Sequence, residues 1–173
     1  MINYKILLKK IKALVFDVDG VFTDGQVFML PREEFIRAFN IKDGFAVQHC
    51  IKMGFAVGII SGGKSDEIVT RFGKLGVTDI YMGSSSKLAS YEDFRQKYHF
   101  TYDETLYMGD DLPDYEIMEK AGLPVCPRDA AIEIRQIAKY ISDKEGGKGC
   151  VRDIIEQVMR VQNKWFCKES FEW

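Results

Sequence analysis

Apolar positions fall into two kinds of run along this chain. Ala13-Leu14-Val15-Phe16 and Phe55-Ala56-Val57-Gly58-Ile59-Ile60 carry no polar side chain, the pattern of strands buried on both faces of a parallel sheet. Shorter runs follow at Asp79-Ile80-Tyr81-Met82, Thr105-Leu106-Tyr107-Met108 and Leu123-Pro124-Val125-Cys126, with Tyr140-Ile141 a weaker sixth. Between them apolar residues take helical spacing: Ile68, Phe72 and Leu75 share a face, as do Leu88, Tyr91, Phe94 and Tyr98. A helix over about 43–53 precedes the second long run, and Val151, Ile154, Ile155, Val158 and Met159 mark a strongly amphipathic one near the end. The alternation predicts an α/β fold, a doubly wound, mainly parallel sheet in a three-layer α/β/α sandwich. Residues 25–39 break the rhythm with two short extended runs around Pro31-Arg32-Glu33-Glu34, which reads as a projecting β-hairpin. No linker or repeat interrupts the pattern. One domain over 1–163 is expected, then an aromatic tail at 164–173 whose four aromatics ask for somewhere to dock.

In an open α/β sheet, ligands bind beyond the carboxyl ends of the strands. The first strand ends in Asp17-Val18-Asp19-Gly20 and the second in Ser61-Gly62-Gly63. The third leads through Gly83-Ser84-Ser85-Ser86 into Lys87, and the fourth into Gly109-Asp110-Asp111-Leu112-Pro113-Asp114. Taken singly, these are ordinary: an Asp-x-Asp makes turns, Ser61 caps a helix, Lys87 is a solvated lysine, and Asp114 charges a helix N-terminus. Together they bring carboxylates, a hydroxyl and an ammonium to one edge. Like charges this close disfavour joint ionisation, and a hard cation such as Mg²⁺ with oxygen ligands resolves the conflict. The metal also turns an acidic pocket into one that attracts phosphate.

Composition narrows the setting. The 173 residues are 46% hydrophobic and 29% charged, with a formal charge of −2, so no basic footprint for nucleic acid or an anionic membrane is present. No apolar run reaches the roughly 18 residues of a membrane span, and residues 1–12 lack the features of a leader, so a cytoplasmic location is expected. Cys50, Cys126, Cys150 and Cys167 form no CxxC pair and read as reduced structural thiols. His49 and His99 sit near apolar helical stretches, away from other ligand-type residues.

The strand-end residues resemble, in order and over nearly the whole chain, the four motifs of the haloacid dehalogenase superfamily of phosphotransferases. The resemblance implies that Asp17 is a nucleophile forming an aspartyl-phosphate. Asp19 would protonate the leaving alkoxide and then activate water. Ser61 and Lys87 would hold the phosphoryl group. Mg²⁺ would sit on the Asp17 carboxylate, the Asp19 carbonyl oxygen and Asp110, with Asp111 supporting the site and Lys87. Forty-one residues separate Asp19 from Ser61 and 25 separate Ser61 from Lys87. Neither interval holds a cap domain, so the hairpin, the tail or a neighbouring subunit is left to cover the site.

Within the superfamily the chain is most similar to the capless, tetrameric 3-deoxy-D-manno-octulosonate 8-phosphate phosphatase family of lipopolysaccharide biosynthesis. The likeness rests on Phe39-Asn40-Ile41-Lys42-Asp43-Gly44, on Tyr81-Met82-Gly83-Ser84-Ser85-Ser86-Lys87, and on Gly146-Gly147-Lys148-Gly149-Cys150-Val151-Arg152-Asp153. It implies a homotetramer in which Phe39, Asn40, Ile41, Lys42 and Asp43 line the substrate pocket with Ser61, Gly62 and Arg71. Arg152 would meet the sugar carboxylate from the adjacent subunit, and the glycine-rich motif would help close a neighbouring site. The expected activity is Mg²⁺-dependent hydrolysis of an eight-carbon 3-deoxy-2-keto sugar acid phosphate. The alternatives are a nine-carbon sialic-acid-type phosphate or, in a different class, a phosphorylatable signalling receiver. Against the receiver stand Asp19 and the late position of Asp110-Asp111. Gly63 departs from the basic residue many members carry there, leaving one anion contact missing or supplied by Lys64, and the tail follows no family pattern.

Overall fold

A computed structural model describes residues 3–30 and 35–171. Six strands form one parallel sheet: β1 (Ala13–Phe16), β4 (Ala56–Ile60), β5 (Asp79–Tyr81), β6 (Thr105–Met108), β7 (Leu123–Cys126) and β8 (Tyr140–Ile141). Their spatial order is β5-β4-β1-β6-β7-β8, so the chain winds outward in both directions from β1. The switch between β1 and its neighbours β4 and β6 is where such sheets bind ligands.

The all-apolar run of β1 is explained by its two faces. Leu14 and Phe16 face a core built with α2 (Ile41–Lys52), α3 (Asp66–Lys74) and α7 (Cys150–Val161). Ala13 and Val15 face a second core with Tyr91 and Phe94 of α4 (Lys87–Lys97), Ile117 and Met118 of α5 (Tyr115–Lys120) and Ile134 of α6 (Ile132–Ile137). This is the three-layer sandwich expected from the sequence. A short helix, α1 (Tyr4–Leu7), was not foreseen; it stacks Tyr4 on Tyr140 at 4.7 Å between ring centroids.

The hairpin is present as β2 (Phe28–Met29) paired antiparallel with β3 (Phe35–Ile36), shorter than the runs anticipated. The predicted turn at residues 31–34 lies outside the described residues. Phe28, Met29, Phe35 and Ile36 are all exposed. α2 starts two residues earlier than the periodicity suggested, because the Asn40 side chain accepts the Lys42 N–H at 2.9 Å and caps the helix.

Of the tail, Trp165 is buried against Phe45 and His49, and the His49 ring meets the Trp165 carbonyl at 3.1 Å. Phe166 and Phe171 instead pack on each other and stay exposed. His49 is thus a packing and tethering residue. All four cysteines are free thiols, and no described helix is long and apolar enough to cross a membrane.

Candidate active site

Asp17 follows β1, and its N–H continues the ladder by donating to the Met108 carbonyl at 3.0 Å. Its side chain is nearly buried at the floor of an open cavity of about 580 Å³. Ser61 leaves β4 into the same cavity, and its Oγ accepts the Gly63 N–H at 3.2 Å. Ser86 caps α4 by accepting the Ala89 N–H, which sets Lys87 in the first turn with its ammonium turned inward. Lys87 Nζ lies 2.9 Å from Asp17 Oδ1 and 2.8 Å from Asp114 Oδ1. Asp17, Asp19, Ser61, Gly62 and Lys87, five residues singled out from the sequence, therefore line one cavity.

Asp110 stands beside them. One carboxylate oxygen each of Asp17, Asp110 and Asp114 fall within 4.8 Å of one another. Burial, the Asp114 charge and, against them, Lys87 leave the Asp17 pKa raised to about 7. Burial and then the charges of Asp17 and Asp114 raise Asp110 to about 8. Burial works against the Lys87 ammonium, but Asp17 and Asp114 outweigh it and hold its pKa above the usual lysine value. Three carboxylates thus face a single ammonium, and their all-oxygen donor set fits a hard divalent cation such as Mg²⁺. Asp110 comes this close only because residue 20 is glycine: at φ +84°, a β-carbon there would lie 1.9 Å from Asp110 Oδ2.

Two roles differ from those expected. Asp114 does more than charge a helix end. It is fully buried, and besides Lys87 it accepts the Tyr107 hydroxyl at 2.6 Å and the Asp110 N–H at 3.1 Å. So engaged, it anchors the lysine and shapes the Asp110 loop. Asp111, expected to support Lys87, is exposed and caps its own turn by accepting the Leu112 N–H at 2.8 Å. Lys64, named for the anion contact at Gly63, packs its stem over Gly83, and a second cation, Arg37, stands beside Gly63. A β-carbon on Gly63 would lie 4.0 Å from Arg37 Nη2. Arg37 forms a two-point ion pair with Asp19, at 2.7 and 3.3 Å. Nothing local in the sequence marked it, since it is one charge in a short extended run.

The other pocket residues divide. Phe39 and Arg71 line a smaller adjoining cavity of about 250 Å³ with Arg37. The Arg71 guanidinium lies 4.9 Å from the Phe39 ring centroid, and its buried Nε has no hydrogen-bond partner among the described residues. Ile41 and Lys42 point to solvent, and Asn40 is committed to its cap. Arg152 lies over the rings of Phe45 and Trp165, at 5.8 and 5.0 Å, and pairs with Glu156. The glycine-rich motif packs on its own chain: the Gly147 N–H donates to the Val21 carbonyl at 2.9 Å, and a β-carbon on Gly146 would meet the Gly20 carbonyl oxygen at 2.0 Å.

Asp43, expected in the pocket, is instead fully buried. Its Oδ1 accepts the Arg152 N–H at 2.7 Å at the start of α7, and burial raises its pKa to about 6. It ties α2 to the N-terminus of α7, where negative charge is favoured. Asp43→Ala is expected to cost about 1–2 kcal/mol at pH 6, about 2–8 °C in Tm, with KM for substrate changed less than about twofold. A large KM change at unaltered Tm would return Asp43 to the pocket.

The chain is similar to known proteins over most of its length. Residues 59–154 match the family model for haloacid dehalogenase-like hydrolase. The 3-deoxy-D-manno-octulosonate 8-phosphate phosphatase of Escherichia coli K12 is 35% identical over 156 residues, 90% of this chain and 83% of the relative. The crystal structure of the Yersinia pestis phosphatase of the same name superposes with a TM-score of 0.91 at 32% identity, over 94% of this chain and 88% of that one. The Moraxella catarrhalis phosphatase, solved with magnesium ion, phosphate ion and the KDO molecule, gives a TM-score of 0.89 at 31% identity, over 92% and 91% of the two chains.

Proposed function

This chain belongs to the haloacid dehalogenase-like hydrolase family, and on that premise we propose that it hydrolyses a sugar-acid phosphate monoester through an aspartyl-phosphate on Asp17. The observation that carries the reading is the Asp17 carboxylate, at the cavity floor with one oxygen 2.9 Å from Lys87 and Asp110 at its side. Membership of a hydrolase family sets aside the signalling receiver.

The phosphoryl group enters with its oxygens toward the Lys87 ammonium, the Ser61 hydroxyl and the amides of the following glycines. A free Asp17 oxygen attacks phosphorus while the bond to the sugar oxygen breaks, and Asp19 gives that oxygen its proton. Asp19 then takes a proton from the water that attacks phosphorus, the Asp17–phosphorus bond breaks, and phosphate leaves. One hard displacement becomes two easier ones. The Asp17 and Asp110 carboxylates, with the Asp19 carbonyl, would hold a Mg²⁺, which would supply charge to offset the oxygens of the transferring group. Lys87 is kept straight for this task by Asp114, which binds its other side.

For substrate we propose 3-deoxy-D-manno-octulosonate 8-phosphate. The names of the relatives support it, as does Arg71, which lines a second cavity with a buried Nε that has no hydrogen-bond partner among the described residues and so suits a carboxylate. The nine-carbon alternative gains no support from those relatives. Assembly as a homotetramer is proposed on the exposed apolar hairpin, since a lone two-stranded ribbon is marginal in water. With Mg²⁺, kcat/KM on the eight-carbon phosphate is expected to exceed that on the nine-carbon acid and on simple hexose phosphates by at least about tenfold, and a chelator should remove it. Equal rates across the panel would defeat the substrate assignment.

A further inference from the structure

Arg37 follows β3 and is where the hairpin reaches the active site. Its Nε donates to Asp19 Oδ1 at 2.7 Å and its Nη2 to Oδ2 at 3.3 Å, with only 15% of the side chain exposed. The Thr23 hydroxyl also donates to Oδ1, at 3.5 Å. Thr23 is fully buried and is itself fixed by accepting the N–H groups of Gly20 and Gly25, each at 3.3 Å. Oδ1 is thus tethered from two sides. Oδ2 is held more loosely and faces the phosphate side: a β-carbon on Gly63 would lie 4.0 Å from it and 3.6 Å from Ser61 Oγ.

We infer that Arg37 is a positioning residue, which holds Asp19 by Oδ1 so that Oδ2 is the oxygen that exchanges protons with the leaving group and the water. A carboxylate two residues past the nucleophile has two side-chain torsions free to wander. A planar guanidinium fork removes that freedom, where an ammonium, a point charge, would not. The inference rests on the proton-transfer role proposed for Asp19. In the first step the Oδ2–H bond breaks and its proton passes to the leaving oxygen as the phosphorus–oxygen bond breaks and the Asp17–phosphorus bond forms. In the second, a water proton passes to Oδ2 as water oxygen bonds to phosphorus and the Asp17 oxygen is released. Arg37 exchanges no proton. Through it the hairpin is a working part of the catalytic centre, and seating the hairpin and transferring the proton go together.

The test uses the full chain with Mg²⁺ and p-nitrophenyl phosphate, whose leaving group needs little protonation, so that only the second step leans on Asp19. In Arg37→Ala the pre-steady-state release of p-nitrophenol should persist while the steady rate falls, raising the ratio of the two by about 30-fold over the parent protein. On a hexose phosphate, whose alkoxide needs the proton, both steps should slow. Arg37→Lys, which keeps the charge without the fork, should fall between. A raised KM with kcat and burst ratio unchanged would make Arg37 a substrate-binding cation and overturn the inference. So would a lowered Tm with unchanged turnover per active site. A parent protein that releases no phosphate from p-nitrophenyl phosphate, the hexose phosphate or the eight-carbon acid phosphate would defeat the proposed function itself, and this inference with it.

Discussion

Asp17→Asn is expected to lower phosphate release by at least about 10⁴-fold while leaving the protein folded. An amide has almost the same shape as the carboxylate, so the buried floor of the cavity stays filled. It is not nucleophilic toward phosphorus, so no aspartyl-phosphate forms. Lys87 keeps its second anchor on Asp114 at 2.8 Å and need not move. Burial and the Asp114 charge already oppose ionisation of Asp17, and removing that charge relieves the strain. Without metal at pH 8, the variant should therefore melt at or above the Tm of the parent protein. Turnover above about 1% of the parent's would refute the nucleophile, whatever the melting curve shows.

The second large effect is on stability, in the dependence of metal binding on pH. Asp17 and Asp110 have folded-state pKa values raised to about 7 and about 8 from an ordinary 3.8. Between about pH 4 and pH 8 the metal-free folded protein therefore holds more protons than the unfolded chain. Stability is at its fullest below the ordinary value, falls as pH rises through the folded-state values, and levels off above them. At about 1.4 kcal/mol per pKa unit the loss amounts to several kcal/mol for the coupled pair. A divalent cation binds the ionised pair and cancels that loss. Saturating Mg²⁺ should thus raise Tm by about 5–10 °C more at pH 8.5 than at pH 5.5. Equal shifts at the two pH values would mean that the metal does not sit on these carboxylates. Asp110→Asn should flatten the metal-free pH dependence as well.

Much of this arrangement could be read from the sequence, for a physical reason. Strands buried on both faces must be apolar throughout, so β1, β4 and β6 stand out, and the residues just past them fall at one edge of the sheet. Asp17, Ser61 and Asp110 are legible that way, and Lys87 from the serine run that leads from the edge strand β5 into α4. Partners brought together by the tertiary fold are not. Asp43 looked like a pocket residue because it sits among pocket residues in sequence, yet its partner Arg152 is 109 positions away. Arg37 depends on where a projecting ribbon folds back, which no periodicity encodes. Asp114 was seen, but its bonds to Tyr107 and Lys87 depend on two other elements meeting in space. The tail was half legible: its aromatics asked for a dock, and Trp165 has one while Phe166 does not.

The packing of Gly146 and Gly147 against residues 20–24 has a consequence for the order in which the protein matures on the ribosome. Asp17 is made well before the segment that backs it, and β1 finds its neighbours only after β4 and β6 have been made. The loop behind Asp17 gains its last backing only when the chain has grown past residue 147. Until then the loop behind the Asp17 carboxylate stands without that backing. The shape of the site is thus a property of segments far apart along the chain rather than of the one that carries Asp17.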